Sequence, residues 1–394
     1  MCGWEIKMKK ITKIFLIIIL IFSTTLNGFA LDFQSNAKAA ILTDEEGNIL
    51  YEKNGDKTYA PASITKLMTY LLTMEARDNG LVSYEDIVTI TKHASDERGA
   101  RYWLVEGEKL TLKELIDAMM VASANDATMA IAEYIGGSEE DFVNMMNERA
   151  LELGMNNTHF ENPNGMPEEG MGNLMSAKDI NILAKYTIKN YKEELLPLTS
   201  MKTLVNEKRR FRKDNTNKLL KVMPQVDGLK TGYTDEAGYC LVSTMPAKGF
   251  RLISVVMGTN NDYERVKESK SLLEFGDNNF EKKKVIDTER DKYTMNLFNE
   301  EKVPVEIVPK ENIWRVSPHK YIKSQNIMIP ENTYWKVKKG QIVGNLELEL
   351  YNSERITVDL VSNEDKTIPP GVFFRNIFTI LGCVIKSAIL GLTN

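Results

Sequence analysis

Cysteine and histidine are scarce in this chain, and their scarcity excludes several kinds of site. The 394 residues include three cysteines and three histidines. There is no His-Glu-x-x-His sequence and no closely spaced cysteine pair, so no metal site is expected. Gly170-Met171-Gly172 lacks the third glycine of a dinucleotide-binding fingerprint, and no Gly-x-Ser-x-Gly elbow is present. The sequence therefore predicts chemistry without a metal or a cofactor.

An excess of positive charge is also absent. The formal net charge is -5, and 43% of the residues are hydrophobic while 27% are charged. Proteins that bind nucleic acid are usually basic, so nucleic acid is not expected as a partner. The composition is that of a globular protein, and the length is sufficient for two domains that each have a hydrophobic core.

The first 30 residues have the order of a secretory signal peptide. Four lysines between positions 7 and 13 precede the apolar block Ile14 to Phe22, and small residues follow up to Gly28-Phe29-Ala30. An uncleaved membrane anchor is the less favoured alternative, because the apolar block is too short to span a bilayer. We therefore expect export, and an exported chain without a cysteine pair is stabilised by its core rather than by disulfides.

The last segment, residues 369–394, is predicted to be an amphipathic helix. Pro369-Pro370-Gly371 separates it from the preceding chain, and polar residues recur every three to four positions between Val372 and Leu392. A helix with two such faces lies in a membrane interface. A spanning helix and packing on the protein's own core are the alternatives. The pattern predicts peripheral attachment through residues 372–394 to the outer face of the cytoplasmic membrane.

Two domains are expected between these termini. In residues 31–280, helical patterns lie early and late around a block of antiparallel strands, which favours an α+β arrangement with helices packed on a sheet. Its first strands form a predicted hairpin over Ala39 to Thr43 and Ile49 to Lys53. Residues 281–368 contain short alternating strands separated by turn residues, which indicates a small all-β domain. Its predicted strands are Val303 to Val308, Ile313 to Val316, Tyr334 to Val337, Leu346 to Leu350 and Ile356 to Val361. The polar stretch from Asn278 to Lys284 is predicted to be a linker.

A serine and a lysine three positions apart, Ser63 and Lys66, open an apolar periodic run. Hydrophobic residues at positions 64, 67, 68, 71, 72 and 74 predict a helix with one buried face. Side chains at positions i and i+3 of a helix are neighbours, so the serine hydroxyl and the lysine amine can meet. Ser-x-x-Lys also occurs at Ser35 and at Ser317, but neither of those copies opens an apolar helical run.

Two further motifs follow in order along the chain. Ser123-Ala124-Asn125 lies at a predicted helix break, where polar side chains can be directed into a cleft. Lys230-Thr231-Gly232 begins a predicted strand, and its glycine allows a substrate backbone to approach closely. The ordered set of three motifs is typical of penicillin-binding proteins and β-lactamases.

At these residues the sequence resembles the low-molecular-weight penicillin-binding proteins, specifically the D-alanyl-D-alanine carboxypeptidases. The resemblance extends to Asn162-Pro163-Asn164-Gly165, the β domain and the amphipathic tail. It implies a β-lactamase/transpeptidase-like catalytic domain, in which helices pack on an antiparallel sheet. It also implies an enzyme that removes the terminal D-alanine from peptidoglycan stem pentapeptides through an acyl-enzyme on Ser63, and that β-lactam antibiotics such as penicillin acylate as covalent inhibitors.

The resemblance assigns roles to eight residues. The catalytic residues would be Ser63, Lys66, Ser123 and Asn125, and the substrate-binding residues would be Lys230, Thr231, Gly232 and Tyr233. Lys66 would accept the Ser63 proton if its pKa were lowered by burial or by a neighbouring cation, for which Lys230 is the candidate. The backbone N–H groups of Ser63 and Tyr233 would form the oxyanion hole. Some family members have histidine where this chain has Tyr233.

Two other functions share part of this pattern. A β-lactamase would need a base for fast deacylation, and Glu161 lies at a plausible distance along the chain after Ser123. However, Gly165 stands where the β-lactamase pattern has asparagine. A muropeptide-binding protein without turnover is the second alternative, although binding alone does not require a nucleophile with its base.

Overall fold

The structure is a computed structural model that describes residues 33–167, 172–297, 303–317, 322–330, 334–350, 354–372 and 374. The predicted signal peptide lies outside the described residues, and so does nearly all of the predicted C-terminal helix. Within the described ranges, no helix combines the length and the hydropathy needed to cross a bilayer.

Helices and short strands alternate through the first half of the chain, and strands dominate the second half. The described strands, in chain order, are β1 (Ala39–Asp44), β2 (Ile49–Lys53), β3 (Thr58–Tyr59), β4 (Ile87–Thr89), β5 (Lys109–Thr111), β6 (Met175–Ser176), β7 (Thr203–Asn206), β8 (Phe211–Asp214), β9 (Gly228–Thr234), β10 (Gly238–Pro246), β11 (Arg251–Thr259), β12 (Glu281–Ile286), β13 (Tyr293–Asn296), β14 (Pro304–Pro309), β15 (Ile313–Ser317), β16 (Ile322–Met328), β17 (Lys336–Val337), β18 (Ile342–Leu350), β19 (Arg355–Ser362) and β20 (Lys366–Thr367). The described α-helices are α1 (Lys66–Asp78), α2 (Lys92–Asp96), α3 (Leu112–Val121), α4 (Asn125–Gly136), α5 (Glu139–Glu152), α6 (Ala177–Thr199), α7 (Leu219–Val222) and α8 (Asp262–Asn279).

A five-stranded antiparallel sheet in the order β2-β1-β11-β10-β9 is the centre of the first domain. Successive residues of a strand point to opposite faces, and here both faces are covered. Ile41 and Ile253 belong to the core shared with α1, α3 and α6, whereas Leu42 and Leu252 belong to the core shared with α8. Helices packed on an antiparallel sheet confirm the predicted α+β class.

A second five-stranded sheet, in the order β13-β14-β19-β18-β16, lies in the C-terminal half and has its own apolar core. Strands β13 and β16 are absent from the sequence prediction. All seven residues of β16 are exposed, so no buried face imposes an alternating pattern on its sequence.

The prediction of a linker from Asn278 to Lys284 is wrong. Asn279 ends α8, and β12 begins at Glu281 and pairs with β15. The polar side chains of this segment are used in contacts, since Lys282 Nζ donates to Glu45 Oε1 at 3.1 Å. Charge alone therefore does not distinguish a linker from a strand whose lysines form ion pairs.

The predicted helix at Ser63 begins differently from the expectation. Ala62–Thr65 is a 3-10 turn, and the α-helix starts at Lys66. Two glycines pack against this turn. A Cβ on Gly165 would lie 2.0 Å from Ala62 O, and a Cβ on Gly232 would lie 2.4 Å from Pro61 O. The turn that carries Ser63 is thus enclosed by backbone from two distant segments.

Gly165→Ala should lower the melting temperature more than Gly80→Ala does. Both glycines have positive φ, 85° and 71°, so each substitution incurs the cost of a left-handed residue, about 1 kcal/mol. At Gly80 no atom lies within 4 Å of the position of a new Cβ, so this variant is the matched control. One kcal/mol corresponds to roughly 2–4 °C in a domain of this size. Equal shifts in thermal unfolding would contradict the tight packing at Gly165.

Candidate active site

Ser63 and Lys66 meet at the start of α1. Lys66 Nζ lies 2.7 Å from Ser63 Oγ, as the spacing of i and i+3 predicts. The Lys66 side chain is fully buried, with 0% of its surface exposed, whereas Ser63 is half-buried. A hydroxyl that substrate can reach is therefore in contact with an amine that bulk water cannot reach.

The Lys66 amine has three oxygen neighbours. Besides Ser63 Oγ, they are Asn125 Oδ1 at 2.7 Å and Asn164 O at 2.6 Å. The Asn125 amide is oriented by its Nδ2, which donates to Arg98 O at 2.6 Å. Asn125 Oδ1 and Asn164 O can only accept hydrogen bonds. A neutral amine donates two hydrogen bonds and accepts one, so neutral Lys66 directs its lone pair at the Ser63 hydroxyl.

The environment of Lys66 favours the neutral form of the amine. Burial lowers the pKa of Lys66 well below its usual value, and the positive charge of Lys230 lowers the pKa further. Glu97 and Asp126 act in the opposite direction but more weakly. Removing an ammonium group from water is costly unless a counter-charge is close. Here the neighbouring buried amine, that of Lys230, carries a charge of the same sign.

Ser123 and Lys230 form a second pair in the same cleft. Ser123 lies between α3 and α4 with a φ of 60°, and its Oγ accepts a hydrogen bond from Lys230 Nζ at 2.8 Å. Lys230 is 1% exposed. Burial and the neighbouring charge of Arg265 lower the pKa of Lys230 to about 7. Asn125 is the first residue of α4, so the helix start places Ser123 and Asn125 together.

Strand β9 forms the opposite wall of the cleft. A Cβ on Gly232 would lie 3.3 Å from Ser63 N, so the strand backbone passes directly beside the turn that carries Ser63. Thr231 Oγ1 donates to Thr216 Oγ1 at 2.6 Å. The Tyr233 side chain is 48% exposed, and its hydroxyl donates to Asp235 Oδ1 at 2.7 Å. The structure thus brings the three predicted motifs into one cleft.

Several contributors carry no sequence motif. Asn164 contributes through its backbone carbonyl, which has no side-chain signature, although the resemblance includes its segment. Arg265 on α8 is 5% exposed, and its Nη1 donates to Gly232 O at 3.2 Å and to Cys240 O at 3.3 Å. Its position becomes apparent only when α8 packs behind β10. Thr216 likewise meets Thr231 only in the folded chain.

Glu161 does not occupy the position of a deacylating base. His159 Nε2 lies 2.7 Å from Glu161 Oε1, and both side chains are largely solvent-exposed, at 60% and 38%. Gly165 packs against Ala62 and brings no side-chain amide to the cleft. The arrangement of this loop therefore differs from the one that the β-lactamase alternative requires.

Known proteins match this chain over most of its length. Residues 27–261 match the family described as D-alanyl-D-alanine carboxypeptidase, peptidase S11. The carboxypeptidase DacF of Bacillus subtilis strain 168 is 36% identical over 320 residues, which cover 79% of this chain and 81% of that protein.

Solved structures agree in fold. The D-alanyl-D-alanine carboxypeptidase DacD of Francisella tularensis superposes with a TM-score of 0.69 at 29% identity, covering 87% of this chain and 99% of that one. Penicillin-binding protein D2 of Listeria monocytogenes, solved in an ampicillin-bound form, superposes with a TM-score of 0.57 at 33% identity. This superposition covers 62% of this chain and 98% of that one. The predicted family is confirmed, and the chain belongs to the D-alanyl-D-alanine carboxypeptidase family of serine peptidases.

Proposed function

We propose that this carboxypeptidase cleaves the terminal D-alanine from peptidoglycan stem pentapeptides with Ser63 as nucleophile and neutral Lys66 as its base. One observation supports the assignment above all others. The buried Lys66 amine lies 2.7 Å from Ser63 Oγ, while its two other partners are oxygens that can only accept. Before acylation, the neutral amine can therefore take a proton only from the serine.

Acylation follows from this geometry. Ser63 Oγ attacks the carbonyl carbon between the two D-alanines, and its proton moves to Lys66 Nζ. The backbone N–H groups of Ser63 and Tyr233 bind the oxyanion, each such donor being worth roughly 100- to 1000-fold in rate. The C–N bond then breaks as the proton reaches the leaving amine through the Ser123 hydroxyl. The Asn125 side chain holds the substrate amide and orients Lys66.

Lys230 and Thr231 would bind the terminal carboxylate of the substrate. Lys230 Nζ is directed into the cleft by its bond to Ser123, and Thr231 is the next residue of β9. A carboxylate paired with a buried ammonium gains a charge-assisted hydrogen bond that an amide cannot match. This pairing accounts for specificity toward peptides with a free C-terminus.

Water completes the cycle. Lys66 takes a proton from water, whose oxygen attacks the acyl carbon, and the ester bond to Ser63 breaks with return of a proton to Oγ. A β-lactam would acylate Ser63 in the same way, which the ampicillin-bound form of the Listeria relative supports. Because Glu161 is bonded to His159, the site lacks the expected β-lactamase base, and we expect a long-lived penicillin adduct rather than rapid hydrolysis.

Ser63→Ala should abolish both release of D-alanine from an acyl-D-Ala-D-Ala peptide and labelling by fluorescent penicillin, because the attacking oxygen is removed. Ser35→Ala is the matched control, since Ser35 also begins a Ser-x-x-Lys sequence but bonds to Glu268 on α8. It should keep both activities. Mass spectrometry of the labelled wild type should find the adduct on the peptide containing Ser63. Unchanged release in Ser63→Ala would assign the reaction to another site, and a muropeptide-binding protein would show no release even in the wild type.

The rate of hydrolysis should have a bell-shaped dependence on pH. Lys66 has a lowered pKa and must be neutral, so activity is present above that pKa and is lost as the pH falls through it. Lys230 has a pKa of about 7 in the free enzyme and must be charged, so kcat/KM should fall as the pH rises above that value. Bound carboxylate raises the pKa of Lys230, and the alkaline limb of kcat should therefore lie at higher pH than that of kcat/KM. Coincident alkaline limbs would contradict the pairing of Lys230 with the carboxylate.

We also propose that the chain is exported and held at the outer face of the cytoplasmic membrane by residues 372–394. The basic, apolar and small-residue order of the first 30 residues and the two-faced pattern of the last segment support this location.

Deletion of residues 372–394 should release the protein from vesicles of phosphatidylglycerol and phosphatidylethanolamine in a sedimentation assay, because the apolar face of the tail is removed. Labelling by penicillin should be unchanged, which serves as the control for folding. Continued pelleting of the truncated protein would show that another segment binds the membrane.

A further inference from the structure

The proposed reaction leaves one buried carboxylate of the active-site motif without a role. Asp126 follows Asn125 and has 0% of its surface exposed. Its carboxylate accepts hydrogen bonds from Tyr102 N at 2.8 and 3.0 Å and from Leu104 N at 3.1 Å, and Arg101 Nε lies 3.8 Å away. Asp126 thus holds the segment of residues 98–105, which we call the rim loop.

The rim loop is also bonded to the neighbouring residue of the motif. Asn125 N donates to Ala100 O at 2.7 Å, and Asn125 Nδ2 donates to Arg98 O at 2.6 Å. Since Asn125 is the residue that would hold the substrate amide, the loop borders the part of the cleft on the acyl side of the scissile bond. Its position is fixed relative to the reacting atoms by bonds to two consecutive residues.

Trp103 projects from this loop into solvent. It is 66% exposed, whereas its neighbours Tyr102 and Leu104 are 2% and 3% exposed. Its φ is 62°, a left-handed conformation that is rare for a bulky residue and costs conformational free energy. Arg209 Nη2 donates to Trp103 O at 3.0 Å, and the Arg101 guanidinium carbon is 5.1 Å from the ring centroid. The fold therefore maintains a strained backbone that exposes an indole ring beside the cleft.

Arginines lie on the two segments that meet at Trp103. Arg98 is exposed on the same loop, and Arg210 is exposed at the tip of the β7–β8 hairpin next to Arg209. Neither of these two side chains forms an ion pair with any residue that the structure describes. A guanidinium group packed on an apolar ring, as that of Arg101 is on Trp103, suits a ligand that has both an aliphatic portion and a carboxylate.

The acids near the loop compensate this charge in part. Glu108 is paired with Arg209, and Glu97 Oε2 accepts a hydrogen bond from Asn164 Nδ2 at 3.0 Å. Glu106 is the exposed acid of the following turn. Glu207, Lys208 and Arg210 are all exposed in the turn between β7 and β8, so basic residues remain in excess on the two segments that meet at Trp103.

We propose that Trp103 binds the stem peptide on the N-terminal side of D-Ala-D-Ala, through a residue that carries a free carboxylate. The inference rests on the proposed function. From Ala100 to Trp103 the chain reaches at most about 10–11 Å, and each peptide residue of an extended substrate spans about 3.3 Å. The ring is thus within reach of the three residues that precede the scissile bond.

A pair of substrates separates this contact from the chemistry. The first is a pentapeptide that contains a γ-linked glutamate with a free carboxylate and ends in D-Ala-D-Ala, and the second is diacetyl-lysyl-D-Ala-D-Ala. Trp103→Gly removes the ring and keeps the left-handed backbone without strain, so it isolates the side chain from the loop conformation. We expect kcat/KM on the pentapeptide to fall about tenfold, mainly through KM, which corresponds to about 1.4 kcal/mol. On the short substrate, kcat/KM should change by no more than about twofold, and so should the rate of acylation by penicillin.

Two variants serve as controls. Trp103→Phe keeps an aromatic face and should retain most of the preference for the pentapeptide. Val105→Ala alters an equally exposed side chain of the same loop, 64% exposed, and should leave both substrates unchanged.

The remaining outcomes decide against the inference. Equal losses on both substrates in Trp103→Gly would show a structural role for the tryptophan, and an unchanged pentapeptide rate would show that the ring does not touch the peptide. Amidation of the glutamate carboxylate should lower the wild-type kcat/KM on the pentapeptide, and no change there would overturn the assigned chemistry of the ligand. If the wild type neither hydrolyses the short substrate nor forms a penicillin adduct, the proposed function itself fails, which is a different result.

Discussion

The first domain depends on one constraint, which is the Lys66 amine kept away from water beside Ser63, the serine that it deprotonates in the proposed reaction. The oxygens around Lys66 would also accept hydrogen bonds from an ammonium group, so these bonds alone do not select the neutral form. Burial and the second buried amine at Lys230 provide that selection. Once the amine is neutral, Asn125 Oδ1 and Asn164 O remain acceptors, and only the Ser63 hydroxyl can exchange roles with it. In the proposed reaction, the reactivity of the serine is thus a consequence of packing as much as of proximity.

Close backbone packing is what makes this enclosure possible. Gly165 brings the carbonyl of Asn164 to Lys66 by resting against the Ala62 turn, and Gly232 brings β9 against the same turn from the other side. A Cβ at either position would collide with backbone, which cannot move aside as a flexible side chain can. The two consecutive residues Asn125 and Asp126 then divide two tasks. The Asn125 side chain bonds to Lys66, and the Asp126 side chain holds the rim loop, which exposes Trp103.

Sequence reasoning succeeded where the signal is local. The i, i+3 spacing of Ser63 and Lys66 sets their contact within one turn of the chain. The sequence predicted the wrong element, or none, where burial does not impose a periodic pattern of apolar residues. Strand β16 is exposed on both faces, so its sequence does not alternate. The lysine-rich sequence of β12 resembles that of a linker, because the partners of its lysines lie in other segments. The helix start at Ser63 differed because the 3-10 turn is imposed by glycines about 100 and 170 residues away.

The sequence by itself determined the family, the α+β class and the identity of the three motifs, because the order of motifs and the periodicity of apolar residues are properties of the chain. Only the tertiary structure decided that these motifs share one cleft, that the third neighbour of Lys66 is a backbone carbonyl, and that Arg265 lies behind β9. It also decided that Glu161 bonds to His159 instead of approaching the nucleophile. The physical reason is the same in each case, since distances and burial between segments far apart in sequence, and the pKa values that follow from them, exist only after the chain has packed.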